Sequence, residues 1–201
     1  MEIVVTRAAQ REATRLALLA EGRRRFAVDG YQGVVLAEVA QAIGATKGAA
    51  YHHFGSKLGL FRTVVAEVQE ELGARVAAAA DAQDEPWEQL RAGCRTFLAS
   101  GTDPEVRQIL LEDAPAVLGW DEWRAMDEAS SARHLADALS ALMQAGAITA
   151  QPVEPLTRLL SGAMNESALW IARSGDGATL EQAVSALDLL LQGLRSPGGR
   201  R

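Results

Sequence analysis

Several residue types are scarce in this sequence, and each shortage removes a class of protein. Its 201 residues include one cysteine, Cys94, so no disulfide forms within the chain. That usage suits a reducing compartment, and a cytoplasmic location is expected. Long apolar runs are missing as well. The stretch Ile3-Val4-Val5 near the amino terminus is too short for a membrane span or for the core of a signal peptide, so no membrane partner is expected. Alternating apolar and polar runs rich in β-branched residues are absent, which argues against sheet structure. Catalytic signatures are lacking too. There is no Gly-rich phosphate loop and no nucleophile with an adjacent base, and neither His52-His53 nor Glu112-Asp113 has metal-ligand spacing. An enzyme is therefore not expected, nor a cofactor or a metal, and Cys94 reads as a small buried hydrophobe.

Lysine is the rarest basic residue, with only Lys47 and Lys57, and both fall in one short segment. The overall charge of −6 speaks against a nucleic-acid partner, because phosphate attraction needs a positive surface. Its distribution says otherwise. Residues 1–62 hold nine Lys and Arg against five Asp and Glu, a net of +4, whereas residues 63–201 hold eleven against twenty-one, a net of −10. A basic head on an acidic body points to a nucleic-acid-binding end and disfavours a non-specific architectural binder.

What is present is helical periodicity punctuated by Gly and Pro, so the fold class is all-α with about nine helices. The first is expected over Gln10 to Asp29, with Leu16, Leu19, Ala20, Phe26 and Ala27 on one face and Gly30 as its stop. A second covers Leu36 to Ile43 and is broken by Gly44. A third starts after Thr46 as N-cap and ends near Phe54-Gly55, and Ser56 caps a long fourth helix from Lys57 to about Ala80. Further helices are expected from Pro86 to about Ser100, from Asp103 to Ala114-Pro115, over Asp121 to Ala145, over Glu154 to Arg173 and over Thr179 to Arg195. This divides the chain into a head at 1–56, a helical domain at 57–195 and a disordered tail at 196–201.

Leu36 to Phe54 meets the physical requirements of a helix-turn-helix. Ala40 is small where two helices cross, Gly44 permits the positive φ of a tight turn, and Val39, Ile43 and Ala50 face inward. The second helix then presents Lys47, Gly48, Ala49, Tyr51 and His52 on the end that enters a major groove. Two helices packed for structural reasons alone would give the same bare pattern.

The run from Val39 to Phe61, Val-Ala-Gln-Ala-Ile-Gly-Ala-Thr-Lys-Gly-Ala-Ala-Tyr-His-His-Phe-Gly-Ser-Lys-Leu-Gly-Leu-Phe, closely resembles the signature of the tetracycline-repressor-like (TetR) family. Phe26-Ala27 and Gly30-Tyr31 match that family's first helix. The resemblance covers about residues 10–65 in detail and the remainder in length and helix count. It implies a double-stranded DNA operator as partner, bound by a homodimeric repressor that responds to a small-molecule effector. By the same resemblance Thr46 caps the recognition helix and touches phosphate, Lys47 reaches bases or phosphate, and Gly48 and Ala49 lie against the groove. Tyr51 and Lys57 would clamp the DNA backbone, His52 would meet base or phosphate, and His53 would sit inside. Val35, Ala45 and Ala50 depart from the pattern, standing where Thr, a larger aliphatic and Leu are usual. Because Glu38 lies three residues after Val35, a Thr there would complete a capping box that Val leaves half built.

All four tryptophans lie beyond the head. With Phe97, Met126 and Asn165, the indoles of Trp87, Trp120, Trp123 and Trp170 are candidates to line a pocket for a hydrophobic or aromatic effector. Aromatics and Met at helical spacing also serve as plain core. Asn165, Glu166 and His134 are polar residues on otherwise apolar helices, needing partners if buried. In the last two helices Leu156, Leu159, Leu160, Ala163, Ser167 and Trp170 on one, with Leu180, Val184, Leu187, Leu191 and Leu194 on the other, form apolar stripes. These either complete a core within one chain or pair with their copies, and the resemblance favours a four-helix dimer interface.

Overall fold

The computed structural model describes residues 7–174 and 177–196, and these are helical almost throughout. The expected disorder at the carboxyl end falls on residues 197–201, outside the described residues. Ser196, placed in that tail by the sequence, instead donates its backbone N–H to the Ala147 carbonyl, beside an antiparallel bridge between Ile148 and Arg195.

The chain divides into two compact units, one up to Glu67 and one from Val68. The boundary lies inside a helix and later than residue 56, because the start of that helix belongs to the core of the head. The head comprises α1 (Arg7–Gly33), α2 (Leu36–Ala42), α3 (Lys47–Phe54) and the first part of α4 (Lys57–Asp81). Its core is Leu18, Phe26, Val39, Ala40, Ala50, Leu60 and Phe61, all fully buried, with Phe26 and Phe61 edge to face at 4.9 Å. The buried side of α1 differs from the expected one. Leu18, Leu19, Gly22 and Phe26 turn inward and Leu16 is half exposed, because Gly22 marks the crossing with α4. A Cβ on Gly22 would sit 2.7 Å from Leu60 Cδ2, closer than carbon atoms pack.

The turn chemistry in the head agrees with the sequence. Gly44 has φ 70°, Thr46 Oγ1 accepts the Ala49 N–H at 3.1 Å, and Ser56 Oγ accepts the Gly59 N–H at 3.0 Å. Val35 is the N-cap of α2 with extended backbone, half exposed and with no side-chain cap, while Val34 is buried just before it. Arg23, Arg24 and Arg25 are paired to acids: Arg24 and Arg25 to Glu21, and Arg23 to Glu67. Arg24 above all, then Arg25, pulls the Glu21 carboxyl from its ordinary 4.5 to about 2.

In the second unit α5 (Pro86–Ala99) leads through a 3-10 turn at Ser100–Thr102 into a broken helical path. This path consists of α6 (Pro104–Val106), a π-helical turn at Arg107–Asp113 and α7 (Ala114–Leu118). The helix expected over Asp121 to Ala145 is two helices, α8 (Trp120–Ala129) and α9 (Ser131–Gln144). They part at Ser130, whose backbone leaves the helical region and whose hydroxyl donates to the Gln69 carbonyl of α4 at 2.9 Å. Gly73 of α4 has no Cβ to block that approach. The last pair, α10 (Val153–Ser174) and α11 (Gly177–Gln192), is where the sequence puts it. Arg91 of α5 grips Asp188 of α11 through two bonds of 2.9 and 2.7 Å, the bidentate geometry that makes Arg–carboxylate pairs directional.

Candidate nucleic-acid interface and apolar cavities

Within the head, α3 is short and leaves only Ala50 fully buried, so most of its side chains face outward. Thr46, Lys47, Gly48, Tyr51 and His52 are exposed, and Ala49 is half-buried. Lys47 Nζ lies 5.6 Å from the Tyr51 ring centroid, a cation–π contact between residues one helical turn apart. With Gly48 bare beside them, the outer face of α3 offers an ammonium, a phenol and an imidazole and no carboxylate. Small residues at the N-terminal end admit a close surface, and the free backbone N–H groups there favour anions.

Two residues near this face are engaged inward. Lys57, at the start of α4, donates to the Tyr31 carbonyl at 2.9 Å and lies 4.2 Å from the Tyr31 ring. It closes the carboxyl end of α1 before it can reach any other group, although an ammonium has further donors to offer. His53 is half-buried; burial first, then the neighbouring Arg11, holds it below its usual range, so it is neutral at pH 7.

The second unit contains two separate cavities among those the described residues form. One, of about 290 Å³, lies between α4, α5 and α9. Val76, Leu90, Phe97, Leu135 and Met164 supply apolar walls, with Cys94, Ser131 and His134 among them and Asp81 and Asp137 at the margin. The Ser131 hydroxyl is buried with no hydrogen-bond partner. Burial pushes the Cys94 thiol up to about 12. The other cavity, of about 670 Å³, is more open and lies between the π-helical turn, α8 and α10, with Trp120, Trp123, Asn165 and Glu166 in its wall. The Trp123 indole N–H has no partner, and its ring lies 5.0 Å from that of Trp120.

The candidate pocket residues are therefore not one group. Phe97 lines the first cavity, and Trp120, Trp123 and Asn165 line the second. Trp87, Met126 and Trp170 line neither. Trp87 lies under the Arg195 guanidinium at 4.9 Å, Met126 is half-buried in α8, and Trp170 is 48% exposed on α10. Asn165 also belongs to a buried polar cluster that the sequence reading did not assemble, centred on Asp127, which is 1% exposed. Its Oδ1 accepts from Gln69 at 3.2 Å, and its Oδ2 accepts from Arg124 at 2.8 Å and from Ser161 and Asn165 at 3.2 Å each. Burial raises the Asp127 carboxyl above its ordinary range, against the opposing pull of Asn165 and Arg124. The signal available was Asn165, a polar residue on an otherwise apolar helix that needs a partner when buried.

The residues of the expected dimer stripes differ in exposure within a single chain. Leu156, Leu160, Val184, Leu187 and Leu191 are at most 8% exposed within a single chain, so they complete its own core and have almost no surface to give to a partner. Ser167, Leu180 and Leu194 are half-buried and Ala163 is exposed. The large apolar side chains left in solvent on these helices are Leu159 and Trp170, both on the expected face of α10, with Leu189 and Leu190 on α11.

No helix among the described residues is long and apolar enough to cross a membrane, and no group of His, Cys, Asp and Glu among them could hold a metal ion. Two family models match the chain: "Bacterial regulatory proteins, tetR family" over residues 18–64 and "Tetracyclin repressor-like, C-terminal domain" over residues 87–194. The HTH-type transcriptional repressor AcnR of Corynebacterium efficiens is 28% identical over 195 residues, 92% of this chain and 94% of its own. A TetR-family transcriptional regulator from Pectobacterium atrosepticum, solved by crystallography, is 36% identical with a TM-score of 0.78, covering 94% of this chain and 97% of that one. FadR from Bacillus subtilis, solved in complex with stearoyl-CoA, shares the fold at a TM-score of 0.73 and 16% identity, covering 90% of this chain and 99% of its own.

Proposed function

Because the chain belongs to the TetR family of bacterial regulators, and so is a DNA-binding transcriptional regulator rather than an enzyme, we propose that it is a cytoplasmic repressor that binds a palindromic operator as a homodimer and releases it when a small hydrophobic or aromatic effector occupies the α4–α5–α9 cavity. The observation that carries the DNA half is the outward face of α3. Lys47, Tyr51 and His52 stand exposed around bare Gly48, and Ala50 alone anchors the helix from behind. Thr46 adds a hydroxyl at the helix start, and Lys57 serves the DNA backbone only with the donors left over from Tyr31. One such helix reads few base pairs, so a two-fold assembly on a two-fold site supplies the missing specificity. Exposed Leu159, Trp170, Leu189 and Leu190 on α10 and α11 support pairing of those helices with their copies.

For the effector, a cavity of about 290 Å³ stands at the small end of ligand pockets. An acyl-CoA such as the one bound by the Bacillus subtilis neighbour is too long, and its phosphates would find no Lys or Arg among the residues lining this wall. The test is operator binding by fluorescence anisotropy with a candidate effector present and absent. Lys47→Ala should lose about 1–3 kcal/mol of discrimination among operator variants if it reads a base. Filling the cavity with Ala138→Phe should bring the ratio of operator affinities with and without effector to one, from a coupling on the order of 1–3 kcal/mol in the parent. An Ala138→Phe protein, shown folded by its thermal melt, that still releases DNA would place the effector elsewhere.

A further inference from the structure

We infer that the effector is a compact hydrophobic amine carrying a hydrogen-bonding group, such as a hydroxyl, at the end opposite its ammonium; the inference rests on the reading of the α4–α5–α9 cavity proposed above. Ser131 and the two carboxylates of Asp81 and Asp137 mark different parts of the cavity wall, with apolar Leu90, Phe97 and Leu135 and the imidazole of His134 also lining it. Ser131 is 6% exposed, and its hydroxyl has no partner. It follows Ser130, which packs where Gly73 leaves room on α4. A buried hydroxyl without a partner is costly, and because the oxygen itself has almost no open surface, a ligand removes the cost by drawing the Ser131 side chain round into the cavity and bonding it there.

The carboxylate part of the wall is negative. Asp137 stands at the edge of the lining face of α9, and Asp81 is the last residue of α4, where the unsatisfied carbonyls of the helix end add further negative potential. Both carboxylates are exposed, and neither has a hydrogen-bond or ion-pair partner among the described residues. The wall contains no Lys or Arg among those residues and one imidazole, His134, against two carboxylates, so an anionic ligand is repelled and a cation is drawn in. Ser131 and Asp137 lie six residues apart on α9, about 9 Å along a helix axis. A single ring bearing a short alkyl amine spans such a distance, with Leu135 and Phe97 against its faces.

The experiment is isothermal titration of the full-length protein with four probes: tyramine, its neutral analogue tyrosol, its anionic analogue hydroxyphenylacetate, and phenethylamine, which lacks the hydroxyl. Tyramine should bind most tightly, hydroxyphenylacetate most weakly, and added salt should weaken tyramine but not tyrosol. The exposed double substitution Asp81→Asn with Asp137→Asn should lower tyramine affinity about tenfold and leave tyrosol unchanged. Ser131→Ala should bring tyramine down to the level of phenethylamine. Equal binding of tyramine and tyrosol, no response of tyramine to the double substitution, or no binding of any probe overturns the proposal. Should that happen while Ala138→Phe still prevents operator release by another apolar ligand, the amine class alone is wrong. If tyramine binds and Ala138→Phe leaves that binding intact, the assignment of the cavity fails as well.

Discussion

Replacing Asp127 by alanine removes the acceptor at the centre of the only buried carboxylate cluster among the described residues, and the loss can be worked from the bonds it makes. Gln69 and Asn165 donate amide N–H groups to it, Ser161 a hydroxyl and Arg124 a guanidinium N–H. Gln69, Ser161 and Asn165 are at most 9% exposed, so solvent cannot take over their bonds without entering the core. Each stranded buried donor costs about 1–3 kcal/mol, but the hole left by the carboxylate is polar and one water can satisfy several donors at once. Arg124 keeps Glu128 at 3.4 Å, which limits its share. Breaking one side of a buried charge pair costs about 3–5 kcal/mol, and we expect that for Asp127→Ala, or a fall of roughly 6–20 °C in melting temperature for a chain of this size.

Asp127→Asn should cost much less, since its oxygen can face the three donors on Oδ2 and its amide can bond a flipped Gln69 side chain. It also separates charge from shape. The folded carboxyl is raised above its unfolded range by burial, so its ionisation opposes folding. The advantage of the protonated form is complete below the unfolded value near 3.8 and is lost as pH rises through the higher folded one. The stability of Asp127→Asn relative to the parent should therefore improve with rising pH across that window and be flat above it. Urea midpoints at matched protein concentration and matched slopes measure both effects. An Asp127→Ala loss below about 1 kcal/mol would show that the cluster is not a structural tie.

Val35→Thr supplies the missing acceptor at the exposed N-cap of α2 and should stabilise the head by about 0.5–2 kcal/mol; a lower melting midpoint would contradict the cap geometry. Cys94, with its thiol pushed up to about 12, should react with a disulfide reagent at pH 8 only when the chain is unfolded, and a fast native reaction would show that the cavity opens wider than the structure shows. Glu21, drawn down to about 2 by Arg24 and Arg25, contributes stability present above its unfolded value of 4.5 and lost as pH falls from there to about 2, so Glu21→Gln should flatten the acid limb of the melting profile. Leu187→Glu should abolish folding rather than merely split a dimer, whereas Leu190→Glu should leave folded chains that light scattering finds monomeric.

The head was legible because its signals are local. Gly44, Thr46 and Ser56 each act through their own backbone or one two or three residues on, and their chemistry alone sets the ends of α2, α3 and α4. The break at Ser130 was not legible for the opposite reason. Its cause is the Gln69 carbonyl, distant in sequence, and the absent Cβ of Gly73, and neither leaves a mark near Ser130 itself. Gly22 was illegible in the same way. The notch it leaves in the inward side of α1 is filled by Leu60 of α4, a residue distant in sequence.

The same distinction explains the mixed outcome for the second unit. Periodicity shows which side of α11 is apolar, yet an apolar stripe is equally good as core or as interface, and only packing assigns it. Leu187 and Leu191 went to the core, and Leu189 and Leu190, out of the stripe by one or two residues, were left in solvent. Tryptophan attracts attention in a pocket search because it is large and apolar, but size cannot tell which helices will face each other. The indoles were divided among a cation contact, an open cavity and the surface. The residues that give the smaller cavity its character are small and unremarkable in sequence: Ser131 without a partner, Ala138 in the wall, and two aspartates at the margin. A cavity is defined by side chains that fail to fill it, so its position is written in alanine, glycine and serine more than in the aromatics around it.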